Sequence, residues 1–393
     1  MIDSAPIARS AVEKRILQGA TLALGLLAAA YLAEGFFRSL WGPIPQDLAR
    51  RWLEGAYLVR HINSMDVYAG VHAAERDLGA AHPGGYPPWA TAFGLFIAPP
   101  IRSDWSRAYF AALNAAGLWF MARYAASESQ RYGRTATCFL VASCLAVSAH
   151  GVVLRNGQYG IVINAALICM AAALVNGRPG RGGAWLALAA TKPQTSAPFA
   201  LLWLARRSGI VALAVAAALC GAATAAVAIW LHASPFYLVA QVFGQAANWD
   251  GGDAGPLRLL LTLGVPRGRA IPALAAVFVS GGALLLHRFR RAPVSLQLAI
   301  ACVSGRLWTY HRRYDDVMLV FLLVPLGLRA LERRRPLDWL AFTLVGLTLW
   351  PPFRESDHGP WLIALKSSIW LGALTWLLHG FREGPLTRST DAA

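Results

Sequence analysis

Hydrophobic and polar positions along this chain segregate into long blocks. Apolar runs fall near 16–37, 108–124, 135–154, 160–176, 184–205, 210–231, 271–287, 293–306, 317–331, 337–351 and 361–379. Several approach the roughly 20 residues that a helix needs to cross a hydrocarbon layer. Two stretches break the pattern. YPPWATAFGLFIAPPI (86–101) sits between two Pro-Pro pairs and is barely long enough to cross, and 184–205 is interrupted at its middle by TKPQT. The pattern predicts an all-α, polytopic integral membrane protein with a long first outer loop. It has ten full spans plus two re-entrant pieces, or twelve spans if both broken stretches cross. Residues 1–393 read as a single membrane-embedded domain without a separate soluble domain or an internal repeat.

Basic residues orient the spans, because they gather in cytoplasmic loops. ARSAVEKR (8–15), ARR (205–207), HRFRR (287–291) and ERRR (332–335) mark the inside, so 38–86, 232–270, 307–316 and 351–360 share the outer face. With re-entrant pieces, Arg131, Arg134, Arg178 and Arg181 lie inside; with twelve spans, NGQYG (156–160) turns to the cytoplasm instead. Both termini are expected in the cytoplasm of a plasma-membrane protein with an uncleaved first span, its working face toward the periplasm or exterior. Composition agrees: the chain is 56% hydrophobic and 14% charged, with a mean hydropathy of +0.45. The net charge of +16 then reads as a topology signal, and no nucleic-acid partner is expected. Cys138, Cys144, Cys169, Cys220 and Cys302 sit in apolar stretches without paired spacing, as small core residues.

The polar residues that remain are concentrated. In PIPQDLARRWLEGAYLVRHI (43–62), Leu48, Trp52, Ala56 and Val59 recur at helical spacing and predict an amphipathic surface helix in the 38–86 loop. Asp47 fits two roles there: the N-cap after Pro45, or a carboxylate that takes a proton from a hydroxyl. Arg51 and Glu54 follow as surface pairs or site residues, and Asp66 in NSMD is a second acid. Tyr86 and Trp89 of GGYPPW suit an interfacial aromatic anchor or a sugar-stacking surface. Lys192, beside Thr191 and Gln194 and just before the helix-breaking Pro193, is costly at membrane depth and points to a cavity, an ion partner or a pathway. Lys366, near the start of the last run, is expected to snorkel. LWTYHRRYDDVML (307–319) packs His311, Arg312, Arg313, Asp315 and Asp316 around Tyr310, with Arg306 nearby. Outer basic groups of this kind suit an anion, and arginine can hold phosphate oxygens bidentately. The two aspartates read as partners for the arginines and a cap for the next span. NGQYGIVIN adds Gln158 and Asn164 around a Gly-flanked turn.

The order of these motifs resembles glycosyltransferase family 87, membrane mannosyltransferases of the GT-C fold that use polyprenyl-phosphate mannose. The likeness runs through Asp47-Leu48, Tyr86-Pro87-Pro88, Gly157-Gln158 with Asn164, Lys192-Pro193-Gln194, and Trp308, Tyr310 and His311. It implies an inverting transfer of a hexose, normally mannose, from a polyprenyl-phosphate sugar to a glycolipid or cell-envelope glycan on the outer face. Asp47 would be the general base. His311 and Lys192, with Arg312 or Arg313, would hold the donor phosphate, and neither a metal nor another cofactor would be needed. Two departures stand out: NSMD replaces a form nearer NPYD, and HRRYDD replaces a more apolar His-containing form. The competing reading is a transporter or flippase for a lipid-linked sugar, which broken helices and a buried lysine also suit.

Overall fold

The computed structural model describes residues 10–70, 86–248, 255–352 and 359–382. Gly84 and Gly85 of GGYPPW, and parts of the 232–270 and 351–360 connections, lie outside them. Among the described residues the regular structure is helical, and every apolar run becomes helix. The chain runs through α1 (Ala11–Trp41), α2 (Gln46–Val59), α3 (Ser64–Ala69), α4 (Pro88–Ile97), α5 (Ser103–Ser129), α6 (Arg134–Leu145), α7 (Ala149–Asn156) and α8 (Gly160–Val175). It continues through α9 (Pro179–Ala189), α10 (Pro193–Leu204), α11 (Gly209–Trp230), α12 (Pro235–Asn248), α13 (Pro256–Thr262) and α14 (Arg267–Arg288). The last helices are α15 (Val294–Leu307), α16 (Val320–Arg333), α17 (Pro336–Leu349) and α18 (Pro360–Arg382). By length and composition four of the described helices can cross a membrane: α1, α11, α14 and α18. A fifth span forms if α6 and α7, bent by 45°, count as one.

The described helices supply fewer candidate spans than the ten or twelve expected, and the two broken stretches do not form single straight spans. Helix α4 has 10 residues, about 15 Å of rise against a hydrocarbon core of ~30 Å, so it cannot cross alone. Helices α9 and α10 double back on each other. Gly182, near the start of α9, lies so close to Trp203, near the end of α10, that any Cβ would overlap the indole. Lys192 therefore occupies the tip of a re-entrant hairpin. The tip also meets α4, since Trp89 Nε1 donates to the Ala190 carbonyl at 2.9 Å. One end of the bundle carries the pairs Arg334–Glu13 (3.6 Å) and Arg131–Glu332 (3.5 Å). The opposite end carries Asp47 bonded to Gln158, which puts NGQYG beside the 38–86 connection.

The hairpin α15–α16 forms the centre of the bundle. Residues 295–307 and 314–331 are buried without interruption. The charged stretch 307–316 is thus no solvated outer connection. Its second half folds into a 3₁₀ segment, Arg313–Leu319, sunk against α7, α8 and α15. Asn164 pins that segment from α8, its amide donating to the Val317 carbonyl at 2.7 Å. Interhelical hydrogen bonds of this kind contribute about 0.6 kcal/mol each in a bilayer, so register here rests on packing as well. At the other end, buried Arg329 pairs with Asp338 and donates to the Trp376 carbonyl, tying α16, α17 and α18 together.

Candidate active site

Helix α2 begins the site. Its N-cap is Pro45, so Asp47 stands one residue inside the first turn rather than at the cap, where the helix dipole still favours a negative charge. The predicted stripe is rotated. Leu48, Glu54, Gly55, Tyr57 and Leu58 are buried against the bundle, while Val59 is exposed, because the inward face packs on protein and not on lipid alone. This rotation aims Asp47 inward. Its carboxylate accepts from Arg50 Nη1 at 3.3 Å and from Gln158 Nε2 at 2.5 Å.

Gln158 reaches Asp47 because α7 ends in Gly157. That residue has a φ of +75°, and a Cβ on it would overlap Leu48. Only glycine combines this left-handed turn with so close an approach of α2. The other end of the Gln158 amide faces Lys192, with Nζ to Oε1 at 3.5 Å. Lys192 Nζ in turn pairs with Asp315, both side chains fully enclosed, and sits 4.3 Å from the Tyr314 ring centroid. Asp315 Oδ2 lies 3.3 Å from His311 Nδ1 and accepts from the Arg312 backbone N–H at 2.9 Å. Five side chains from four stretches of sequence thus form one continuous relay: Asp47, Gln158, Lys192, Asp315 and His311.

The electrostatics of the relay follow from burial and partners. Burial alone would raise the Asp315 carboxyl, but Lys192 and His311 outweigh it and hold the group well below the usual carboxylate range. Burial pushes the His311 imidazole down, against the pull of Asp315, so the neutral ring is favoured. Its Nε2 is enclosed and has no hydrogen-bond partner among the described residues. A buried, open valence beside a lysine is a place for a ligand atom.

Aromatic rings enclose this chain. Arg51 is buried, pairs with Glu54 at 2.6 Å and lies 4.4 Å from the Tyr86 ring centroid. Tyr86 stacks on Tyr159 with centroids 6.4 Å apart. Burial raises the Tyr86 phenol, against Arg51, which leaves it a neutral donor. From Glu54 and Tyr86 a cleft runs outward between Leu58, Val227, Leu231 and Leu238. Asn63, Ser64 and Gln241 add polar groups to its otherwise largely apolar lining.

Several expected residues stand elsewhere. Asp66 accepts from Tyr237 (2.8 Å) and Gln241 (2.7 Å), joining α3 to α12 away from the relay. Trp89 is tied to the re-entrant tip rather than serving as a free interfacial anchor. Gln194 contributes its carbonyl to Trp308 Nε1 at 2.7 Å. Arg312 is exposed at the rim and bonds the Tyr310 hydroxyl at 2.7 Å, while Arg313 lies near Tyr31. Lys366 does not snorkel: it pairs with Asp316 at 3.1 Å, and Arg306 shares that aspartate at 2.7 Å. Asp316 therefore takes the arginine partner expected for both aspartates, and Asp315 takes Lys192 instead. Cys138 is exposed, unlike the core position expected for it, and the cysteines are unpaired. Arg50, read from sequence with Arg51 and Glu54 as a surface pair, contacts Asp47 instead, while Tyr159 and Tyr314 were not singled out by sequence. Both carried a signal, Tyr314 inside the charged stretch and Tyr159 inside NGQYG.

The family model for glycosyltransferase family 87 matches residues 85–309, which hold Tyr86, Trp89, Gln158, Asn164, Lys192, Gln194 and Trp308. Searches of curated proteins and of solved structures found no match.

Proposed function

Because this chain belongs to glycosyltransferase family 87, we propose that it moves a hexose, mannose first among the choices, from a polyprenyl-phosphate sugar to a glycolipid or cell-envelope glycan. The site faces the outer side of the plasma membrane. The observation that carries this reading is the relay from Asp47 to His311, beside which Arg51 packs on Tyr86, a residue that also lines a largely apolar cleft. A lipid-linked substrate needs both, one for its charged head and the other for its tail.

The reaction is a single displacement with inversion. The acceptor oxygen attacks the anomeric carbon, the bond from that carbon to the phosphate oxygen breaks, and its electron pair leaves with the phosphate. The acceptor proton passes to Asp47. Each carboxylate oxygen has two lone-pair sites, so the contacts to Arg50 and Gln158 leave one on each oxygen for the hydroxyl. Asp315, in contrast, is buried and held ionised by Lys192 and His311, which makes it a poor base. The leaving phosphate docks at His311 Nε2 and beside Lys192, with Arg312 at the rim. Its negative charge favours a proton on Nε2, which then donates to it. A phosphate ester already departs well, so positioning, a base and fixed positive charge suffice without a metal.

The test is transfer by the purified protein in lipid nanodiscs, given polyprenyl-phosphate mannose and a panel of acceptors, with and without EDTA. Transfer that survives EDTA and disappears in Asp47→Asn supports the reading. Undiminished transfer by that variant removes Asp47 as base. Absence of transfer with every donor, together with movement of the lipid-linked sugar across a bilayer, would establish the transporter instead.

A further inference from the structure

We infer that Gln158 is a positioning residue that aims the Asp47 base and couples it to the donor-phosphate side of the site. The inference rests on Asp47 as the base and goes beyond it to say what holds that base.

The argument begins with hydrogen-bond polarity. The Asp47 carboxylate only accepts and the Lys192 ammonium only donates. A group between them must donate at one end and accept at the other. Gln158 does so, with Nε2 at 2.5 Å from Asp47 Oδ2 and Oε1 at 3.5 Å from Lys192 Nζ. The amide orientation is forced, because the flipped form would set its oxygen against the carboxylate and its NH2 against the ammonium. Side-chain length is also fixed. Gly157 sets the turn, and its contact with Leu48 sets the distance between α2 and α7. Gln158 itself is buried, so water does not replace it readily.

The consequence is a mechanical link. Lys192 lies at the tip of the α9–α10 hairpin and Asp47 on α2, and this one amide bonds to both. The Lys192 contact is at the long limit of a hydrogen bond, while the Asp47 contact is short. A phosphate drawing on Lys192 releases the weak contact first and leaves Gln158 committed to the base. The base is then aimed when the donor is present. The charged and titratable groups facing Asp47 are Arg50 and Arg51 on its own helix, Tyr86 before α4, Tyr159 before α8, and Tyr314 of the 3₁₀ segment.

Gln158→Glu tests this. It replaces the donor facing Asp47 with a second carboxylate, and two carboxylates so close share a proton. The acid limb of the pH–rate profile for transfer should move up by about one unit or more. Activity above that limb should stay below the wild-type level, because the doubly ionised pair lacks the donor that aims Asp47. Gln158→Met keeps the length and removes both bonds. It should lower kcat about tenfold or more while the acceptor KM stays within about twofold, the pattern of a group that acts only in the transition state. An unmoved acid limb in Gln158→Glu, or a Gln158→Met variant with wild-type kcat, overturns the inference. Should Gln158→Glu fail to fold, the kcat–KM split in Gln158→Met decides alone; if neither folds, Gln158 is a structural residue and the inference fails. Asp47→Asn is run alongside. If it retains transfer, the base assignment fails; if it is inactive while the Gln158 variants behave as wild type, only the present inference fails.

Discussion

Asp47 and Asp66 are both carboxylates in the first turn of a helix in the same outer connection, yet they serve different neighbourhoods. Asp47 is on a helix whose inward face is pressed into the bundle by the glycine at 157, and its contacts lead through Gln158 to buried Lys192. Asp66 is on α3, capped by Asn63, and its contacts lead sideways to Tyr237 and Gln241 of α12. Asn63 joins the same latch, donating to Gln241 at 2.8 Å. One carboxylate ends a relay that reaches the centre of the protein. The other fastens two surface helices. Residue type and loop do not choose a base; the groups behind the carboxylate do.

Substitutions can break that contrast. The largest effect is expected for Asp47→Asn, which keeps size and contacts but removes the proton acceptor. Transfer should fall by a factor of about 10² to 10⁴, read as kcat in a steady-state assay. Lys192→Met comes next, through stability as well as through the lost phosphate contact. It leaves Asp315 buried without its cation, which costs about 3–5 kcal/mol, so the midpoint of thermal unfolding in detergent should drop clearly. Gly157→Ala should lower both midpoint and activity, because the left-handed turn is strained for alanine and its Cβ pushes Leu48, and with it Asp47, outward. Asp66→Asn should have the smallest effect. It weakens hydrogen bonds to a charged acceptor at the surface, so a loss of about 1–2 kcal/mol in stability and less than about threefold in kcat is expected. A collapse of transfer in Asp66→Asn with Asp47→Asn active would invert the comparison.

Acid titration separates the buried half of the site from the rest. Asp315 is held below its unfolded value, so the stability it contributes is complete above the ordinary carboxylate range of about 4 and drains away as pH falls through the folded value. His311 is also shifted down, so its contribution is complete above about 6.5 and diminishes as pH falls below that. Thermal unfolding of wild type should therefore weaken on the acid side, and Asp315→Asn, measured over the same pH series, should lose the part below about 4.

Much of this protein was legible in its sequence. Each apolar run became helix, the TKPQT interruption became the tip of a hairpin, and the motifs around Asp47, Gln158, Lys192 and His311 were in view. Their pairings were not. Lys192 finds Asp315 across 123 positions and Gln158 finds Asp47 across 111. Sequence spacing reports neighbours on one helix, three or four residues apart, and is silent on contacts between helices. That is why the stretch 307–319 read as a charged outer loop with aspartates for its arginines. In the fold it is a buried plug whose aspartates divide between Lys192 with His311 and Arg306 with Lys366.

The sequence by itself determined the helical membrane class, the order of the runs, the two interrupted segments and the small set of polar residues costly enough to need a reason. Hydrocarbon imposes those features on any chain, because backbone groups and charges must be satisfied within it. Only the tertiary structure decided that Asp47 rather than Asp66 faces the core, that the broken run doubles back, and that Gln158 bridges Asp47 and Lys192. Those outcomes depend on close approaches at Gly157 and Gly182, where the absence of a Cβ lets two helices meet at a distance no periodicity encodes.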